Sequence, residues 1–132
     1  LMKSRHELRE SVFKILFQVE NTDLDYRELL EFEVDDVSGS EYVTRTLDNI
    51  FAKKEQIDEI ISNNLKDWKL ERLSKMDRQI LRISTYEILF TDIPYKVSIN
   101  EAVELSKKYS EKDDSYKFIN GVLKGIVETS AK

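Results

Sequence analysis

The chain has 132 residues, a net charge of −5 and no cysteine. Its length suits one domain, and the missing cysteines exclude disulfides, thiolate catalysis and zinc–sulfur sites. A hydrophobic fraction of 40% beside a charged fraction of 36% is typical of a folded, helix-rich protein. The sequence shows neither an apolar run of the roughly 18 residues that a membrane span needs nor a signal-peptide core, so we expect a cytoplasmic protein. Leu1, which precedes Met2, is expected to be an addition to the natural chain.

The predicted helices follow one another along the whole chain, because apolar residues recur at helical spacing and no stretch alternates long enough to predict a strand. They cover residues 5–20, 26–33, a long helix that follows Ser40 and includes Ile61, 75–90, 99–110 and 114–128. The helix over 75–90 is apolar nearly all round, which is typical of a central, buried helix. The pattern predicts an all-α fold, with about six or seven helices in a single domain over residues 2–132.

Capping signals mark several of the predicted helix starts. Serine followed three residues later by glutamate, the capping-box pattern, occurs at Ser4, Ser38 and Ser98. Ser74 with Asp77 is a weaker version of the same pattern. Each match predicts a helix whose first backbone N–H groups are bonded by the cap.

The negative charge is concentrated in one stretch. Residues 19–36 carry a net charge of −7, whereas residues 1–18 and 68–132 each carry a net charge of +2. A basic surface for nucleic acid is therefore compatible with the acidic total, although ordinary solvated helix faces would give the same numbers. The acidic stretch would suit a basic protein partner.

Catalytic and metal-binding chemistry has little to build on. His6 is the only histidine, and no glycine-rich phosphate loop is present. Residues 21–25 imitate the start of a calcium-binding EF-hand loop, but Tyr26 stands where that loop needs glycine and Phe32 where it needs glutamate. We therefore expect no enzymatic activity, no metal and no cofactor.

The last predicted helix contains two of the three glycines, Gly121 and Gly125. Phe118 and Ile119 are adjacent and point about 100° apart on a helix. Phe118 is therefore either part of a wide core face or a platform on which an unpaired base stacks. Because glycine lets another chain approach closely, Gly121 could admit RNA or a neighbouring helix, with Gly125 extending the same groove.

Three motifs occur in order along the second half of the chain. The first is DR-x-x-LR-x-x-x-YE, formed by Asp77, Arg78, Leu81, Arg82, Tyr86 and Glu87. It is followed by VSINEAVELSKKY over 97–109 and by KFINGVL over 117–123. Together with ELRESVFKILFQVE over 7–20, they resemble the NusB family of bacterial transcription antitermination factors over nearly the whole chain.

This resemblance implies a non-enzymatic, all-helical protein that binds the single-stranded boxA element of nascent ribosomal RNA. The implied partners are the ribosomal protein NusE and the RNA polymerase antitermination complex, and self-association in some members implies a homodimer as a further state. One alternative is a helical protein–protein interaction module with incidental RNA contact. A NusB-like domain of the kind fused to ribosomal RNA methyltransferases is disfavoured, because 132 residues leave no room for a catalytic domain.

The resemblance also implies site residues. The RNA-binding residues would be Lys3, Arg5, His6, Arg9, Phe17, Arg82, Phe118, Asn120 and Gly121. The cations would contact phosphates, the two phenylalanines would stack on bases, Arg82 would add a charge or stack, and Asn120 would read a base edge. Asp77 is the expected contact with NusE. Family members often begin with several consecutive arginines, whereas this chain has Ser4-Arg5-His6-Glu7, so we expect weaker binding to RNA alone and a shallower salt dependence.

Overall fold

The computed structural model describes residues 3–20 and 22–130, and these residues form seven α-helices, one short 3₁₀ turn and no strand. The helices are α1 Arg5–Val19, α2 Tyr26–Glu33, α3 Val37–Ala52, α4 Lys54–Asn63, α5 Lys75–Phe90, α6 Tyr95–Tyr109 and α7 Ser115–Ser130, with the 3₁₀ turn at Leu70–Arg72. The all-α prediction is confirmed. The chain divides after Ala52 into two compact units, called unit 1 (α1 to α3) and unit 2 (α4 to α7), and the single domain over 2–132 stays a prediction.

Unit 1 is built around α1, which packs against α2 and α3. The predicted capping box is confirmed, because the Ser4 hydroxyl accepts the Glu7 N–H at 3.1 Å and the Glu7 carboxylate accepts the Ser4 N–H at 2.9 Å. The bond from the Ser4 N–H lowers the pKa of Glu7, since it favours the charged carboxylate. The buried apolar residues of α1 are Leu8, Val12, Phe13, Ile15, Leu16 and Val19.

The short helix α2 matches its predicted bounds, and it is attached to α3 by a few side chains. The Asp25 carboxylate accepts the Arg27 N–H at 3.0 Å and caps the helix. The Tyr26 ring stacks on the Phe51 ring with 5.2 Å between centroids, and Arg27 pairs with Asp48 at 3.2 Å. Among the residues of α2 only Leu30 is buried, so most of this helix is open to solvent.

The long helix predicted after Ser40 is wrong in two respects. Helix α3 already begins at Val37, because Asp36 rather than Ser38 caps it: one carboxylate oxygen of Asp36 accepts the Gly39 N–H at 2.8 Å and the Ser38 hydroxyl at 3.1 Å. The helix then ends at Ala52, and α4 begins at Lys54 after Lys53 takes φ −107° and ψ 11°. No glycine or proline marks this break.

The predicted cap at Ser98 is also wrong. Helix α6 begins one turn earlier, at Tyr95, directly after Pro94, whose fixed φ suits a helix start. Ser98 is buried inside the helix, and its hydroxyl donates to the buried Glu87 carboxylate at 2.9 Å. A serine that precedes an apolar run can thus form a buried hydrogen bond in the core instead of capping the helix.

Unit 2 is organised around α5, which contacts α4, α6 and α7. Its bounds are those predicted, and the Ser74 hydroxyl accepts the Asp77 N–H at 3.2 Å as the cap. The buried residues of α5 form an almost unbroken run from Asp77 to Glu87, so the predicted central position is confirmed. Helices α6 and α7 pack on each other and on α5, and α7 lies within two residues of its prediction.

Candidate nucleic-acid interface

The basic segment of unit 1 is only partly available at the surface. The Lys3 ammonium donates to the Ser11 hydroxyl at 3.0 Å and to the Glu33 carbonyl oxygen. Arg9 is buried, with 4% of its surface exposed. Arg5 and His6 are exposed, and the Arg5 guanidinium lies over the Tyr42 ring, 4.3 Å from its centroid. Two of the four predicted residues of this segment therefore present their side chains to solvent.

Phe17 lies near the other end of α1. It is half-buried, and its ring centroid is 6.4 Å from that of the buried Phe13, with the planes tilted by 30°. Part of the Phe17 surface is thus accessible, while the rest belongs to the aromatic packing of unit 1.

Arg82, a predicted RNA contact, is bonded to other residues inside unit 2. Its guanidinium makes two parallel bonds to the Asp58 carboxylate, Nε to Oδ1 at 2.8 Å and Nη2 to Oδ2 at 3.0 Å. Nη1 also donates to the Gln79 amide oxygen at 3.3 Å, and the residue is only 6% exposed. This bidentate geometry is characteristic of a strong structural ion pair that joins α5 to α4.

Asp77, the predicted NusE contact, is also mostly buried. One carboxylate oxygen accepts the Ser110 hydroxyl at 2.6 Å, which links the start of α5 to the residue that follows α6. The residue nevertheless contributes to the wall of a cleft beside the start of α7.

This cleft, called the Trp68–Phe118 cleft, has a volume of about 360 Å³. It is lined by Trp68, Arg72, Leu73, Ser74, Asp77, Glu111, Lys112, Asp114, Ser115, Lys117 and Phe118. Trp68 is 60% exposed and Phe118 is half-buried, so the cleft offers two aromatic surfaces. Phe118 is therefore partly exposed, and its side chain forms part of the wall of the cleft.

The charges of the cleft are mixed, but its cations are available. Arg72, Lys112 and Lys117 are exposed and form no ion pair within the described part of the chain. Asp77, Glu111 and Asp114 supply an equal number of acidic groups. Such a site can hold a base and a phosphate or two, but it cannot follow a long phosphate backbone by charge alone.

Sequence reasoning missed Trp68, Arg72, Lys112 and Lys117 as site residues. They come from two stretches about forty residues apart, and only the packing of α5, α6 and α7 brings them to one cleft. One feature of the sequence could have indicated this site: the only tryptophan of the chain lies outside every predicted helix.

The two glycines of α7 have different surroundings. Gly121 is exposed, and a Cβ atom there would meet nothing within 4 Å. A Cβ atom at Gly125 would lie 2.8 Å from the Asn64 amide oxygen, so that glycine admits the end of α4. Asn120, next to the open glycine, is half-buried. Gly121 is thus free for a ligand, whereas the space at Gly125 is filled by this chain.

Residues 3–20 and 22–130 contain neither a candidate metal cluster nor a candidate membrane span. No group of three or more histidine, aspartate or glutamate side chains there could hold a metal ion. No helix in this part of the chain is long and apolar enough to cross a membrane.

Solved structures share this arrangement of helices. A crystal structure of NusB from T. maritima matches with a TM-score of 0.90 and 40% identity, over 100% of this chain and 96% of that one. A crystal structure of the antitermination factors NusB and NusE in complex with double-stranded RNA matches with a TM-score of 0.83 and 26% identity, over 98% and 99% of the two chains. The fold is that of the helical antitermination factors.

The sequence comparisons are more specific. The transcription antitermination protein NusB of Macrococcus caseolyticus is 44% identical over 97% of this chain and 99% of its own length. The protein of the same name from Staphylococcus aureus strain MRSA252 is 48% identical over 93% and 98%. The sequence profile of the NusB family matches residues 6–128. The chain belongs to the NusB family, as its motifs predicted.

Proposed function

We propose that this chain is a transcription antitermination factor that binds boxA-type RNA together with NusE, as part of the RNA polymerase antitermination complex. Its relatives carry the name transcription antitermination protein, and the related NusB has been crystallised with NusE and RNA. The observation that carries the proposal is the Trp68–Phe118 cleft, because it combines accessible aromatic rings with exposed cations.

In this proposal the cleft takes an unpaired base. A base would stack on the exposed ring of Trp68 or on Phe118, since both aromatic walls are reachable from solvent. Lys112, Lys117 and Arg72 would contact the phosphates on either side. Gly121 and Asn120, which follow Phe118 on α7, would extend the contact along the strand.

Unit 1 would contribute Arg5 and Phe17. The Tyr42 ring supports the Arg5 guanidinium, an exposed cation that pairs with no carboxylate of the described residues. Such a supported guanidinium plane suits stacking on a base or contact with a phosphate. In this proposal the protein acts in the cytoplasm, where it binds and positions RNA and does not catalyse a reaction.

The test is fluorescence anisotropy with three labelled RNAs: a single-stranded boxA-type strand, a scrambled strand and a boxA-type duplex. Each is titrated with and without NusE, at two salt concentrations. We expect the boxA strand to bind best, and binding to strengthen with NusE. The Phe118→Ala variant should lose roughly 1–3 kcal/mol of binding free energy, because one stacked base is removed.

The matched control is Phe32→Ala, which removes an exposed phenylalanine of unit 1. This variant should bind RNA like the parent protein, and circular dichroism should show both variants folded. Equal, weak binding to all three RNAs, unchanged by NusE and by Phe118→Ala, would contradict the proposal.

A further inference from the structure

Phe32 is the most exposed large apolar side chain among the described residues, at 83% of its surface. It lies in α2, whose only buried residue is Leu30. Leu24 and Val37, on either side of this helix, are also exposed. A phenylalanine in this position contributes nothing to the core, and an exposed apolar helix face is a common feature of protein interaction sites.

Helical geometry places acidic groups around Phe32. Glu28 is one turn before it on the same face, and the Phe32 side chain leans toward that turn because Cβ atoms point to the helix N-terminus. Glu31 is its neighbour in the sequence, and Asp35 follows shortly after the end of the helix at Glu33. All three acidic side chains are exposed and form no ion pair within the described ranges.

The cation of this helix does not neutralise the face. Arg27 is paired with Asp48 at 3.2 Å and with Asp25 at 3.7 Å. Its guanidinium also lies over the Tyr26 ring, 4.8 Å from the centroid. The face around Phe32 therefore keeps its negative charge, within a stretch of net charge −7 over 19–36.

We infer that the exposed surface formed by Glu28, Glu31 and Phe32 of α2, with Asp35 just after the helix, docks a lysine- or arginine-rich segment of a protein partner. This surface is called the Phe32 face. The partner's apolar side chain covers Phe32, and its cations meet the acidic rim. An apolar anchor surrounded by a charged rim is the usual arrangement of an interface hot spot. Complementary charge on the rim accelerates encounter and excludes wrong partners.

The same charge argues against other occupants. RNA phosphates and anionic lipid headgroups are repelled by Glu28, Glu31 and Asp35. A second copy that docked through the same face about a two-fold axis would bring acidic rim against acidic rim. The Phe32 face is thus independent of the proposed RNA site.

The probe for the test is a fluorescein-labelled amphipathic helical peptide with leucine on one face and lysine on the other. A matched peptide replaces leucine by serine at the same net charge. The full chain should bind the leucine peptide more tightly than the serine peptide. Phe32→Ser should weaken binding of the leucine peptide roughly tenfold, because the anchor contact is lost, and should leave the serine peptide unaffected.

The control variant is Val97→Ser, which removes an exposed apolar residue of α6 in unit 2, 46% exposed. It should bind the leucine peptide like the parent chain. The double variant Glu28→Gln/Glu31→Gln should weaken binding of both peptides and flatten its salt dependence. Because Phe32 is exposed, circular dichroism should show all variants folded.

Three results would overturn the inference. The first is that both peptides bind equally tightly. The second is that Val97→Ser weakens binding of the leucine peptide as much as Phe32→Ser does. The third is a sedimentation coefficient that falls with Phe32→Ser, which would assign the face to a second copy. RNA titrations of Phe32→Ser separate this inference from the proposed function, because each can fail while the other holds.

Discussion

The cations near the start of unit 1 and those of the Trp68–Phe118 cleft in unit 2 differ in how they are bonded. In unit 1, Lys3 donates to Ser11 and to the Glu33 carbonyl, and Arg9 is buried. In unit 2, Lys112 and Lys117 are exposed and form no ion pair with any described residue. Both stretches have the same net charge of +2 over 1–18 and 68–132, so net charge does not reveal which cations can reach a ligand.

The same contrast separates arginines within unit 2. Arg72 and Arg82 lie close to each other in the sequence. The Arg82 guanidinium is bonded to Asp58 and Gln79, whereas Arg72 is exposed. A family motif can therefore contain an arginine whose work is structural. Substituting such cations one at a time separates those that stabilise the fold from those that bind a ligand.

The largest expected effect is that of Arg82→Ala on stability. Removing the guanidinium breaks both bonds to the Asp58 carboxylate, which keeps only its ion pair with Lys54 at 3.5 Å, and takes the donor from the Gln79 amide oxygen. The free energy of unfolding should therefore fall by about 3 kcal/mol. Urea unfolding followed by circular dichroism measures this, and Arg72→Ala is the control that should change stability little. If Arg82→Ala were as stable as the parent chain but bound RNA more weakly, Arg82 would be an RNA contact, as the family resemblance implies.

The next prediction compares Lys3→Met with Lys117→Met. Lys117→Met should reduce the slope of log affinity for single-stranded RNA against log salt by about 0.7, because one phosphate contact is lost, and should leave stability unchanged. Lys3→Met should leave the slope unchanged and lower the free energy of unfolding by about 1 kcal/mol, since it removes the bonds to Ser11 and to the Glu33 carbonyl. Anisotropy at several salt concentrations and urea unfolding give the two quantities. A reversal of the two results would place the phosphate contacts in unit 1.

The sequence predicted the elements that depend on local signals. The bounds of α2 and α5, the capping box at Ser4 and the cap at Ser74 were correct, because spacing and caps act within one turn. The break at Lys53 was missed, because the buried Ile50 and Ile57 on either side of it also fit one continuous helix. The start of α6 was predicted at Ile99 instead of Tyr95, because the buried Ser98 was interpreted as a cap. The surroundings of Lys3, Arg82 and Trp68 could not be predicted, since they depend on residues far apart in the chain.

The carboxylates that cap α1 and α3 should make unit 1 sensitive to acid. The pKa of Glu7 is lowered below its ordinary value of 4.5 by the N–H of Ser4, and that of Asp36 below 3.8 by the N–H of Gly39. Since a lowered folded-state pKa stabilises the fold above the ordinary value, this stabilisation is lost as pH falls through the folded-state values. Glu7→Gln and Asp36→Asn should therefore flatten the fall in stability below about pH 4, as followed by urea midpoints at several pH values. Glu59→Gln, which changes an exposed carboxylate of α4, should leave that fall unchanged.

The smallest expected effect concerns the two glycines of α7. Gly121→Ala should raise the free energy of unfolding by about 0.5 kcal/mol, because alanine is the better helix former and its Cβ meets nothing within 4 Å. Gly125→Ala should gain nothing or lose stability, because its Cβ would lie 2.8 Å from the Asn64 amide oxygen, and the amide nitrogen of the same side chain donates to the Ile60 carbonyl. Thermal unfolding of both variants gives the sign of each change. If Gly121→Ala stabilises the fold and also weakens RNA binding, the bare surface at Gly121 serves the ligand at a cost in helix stability. Unchanged RNA binding would mean that this glycine has no role in the interface.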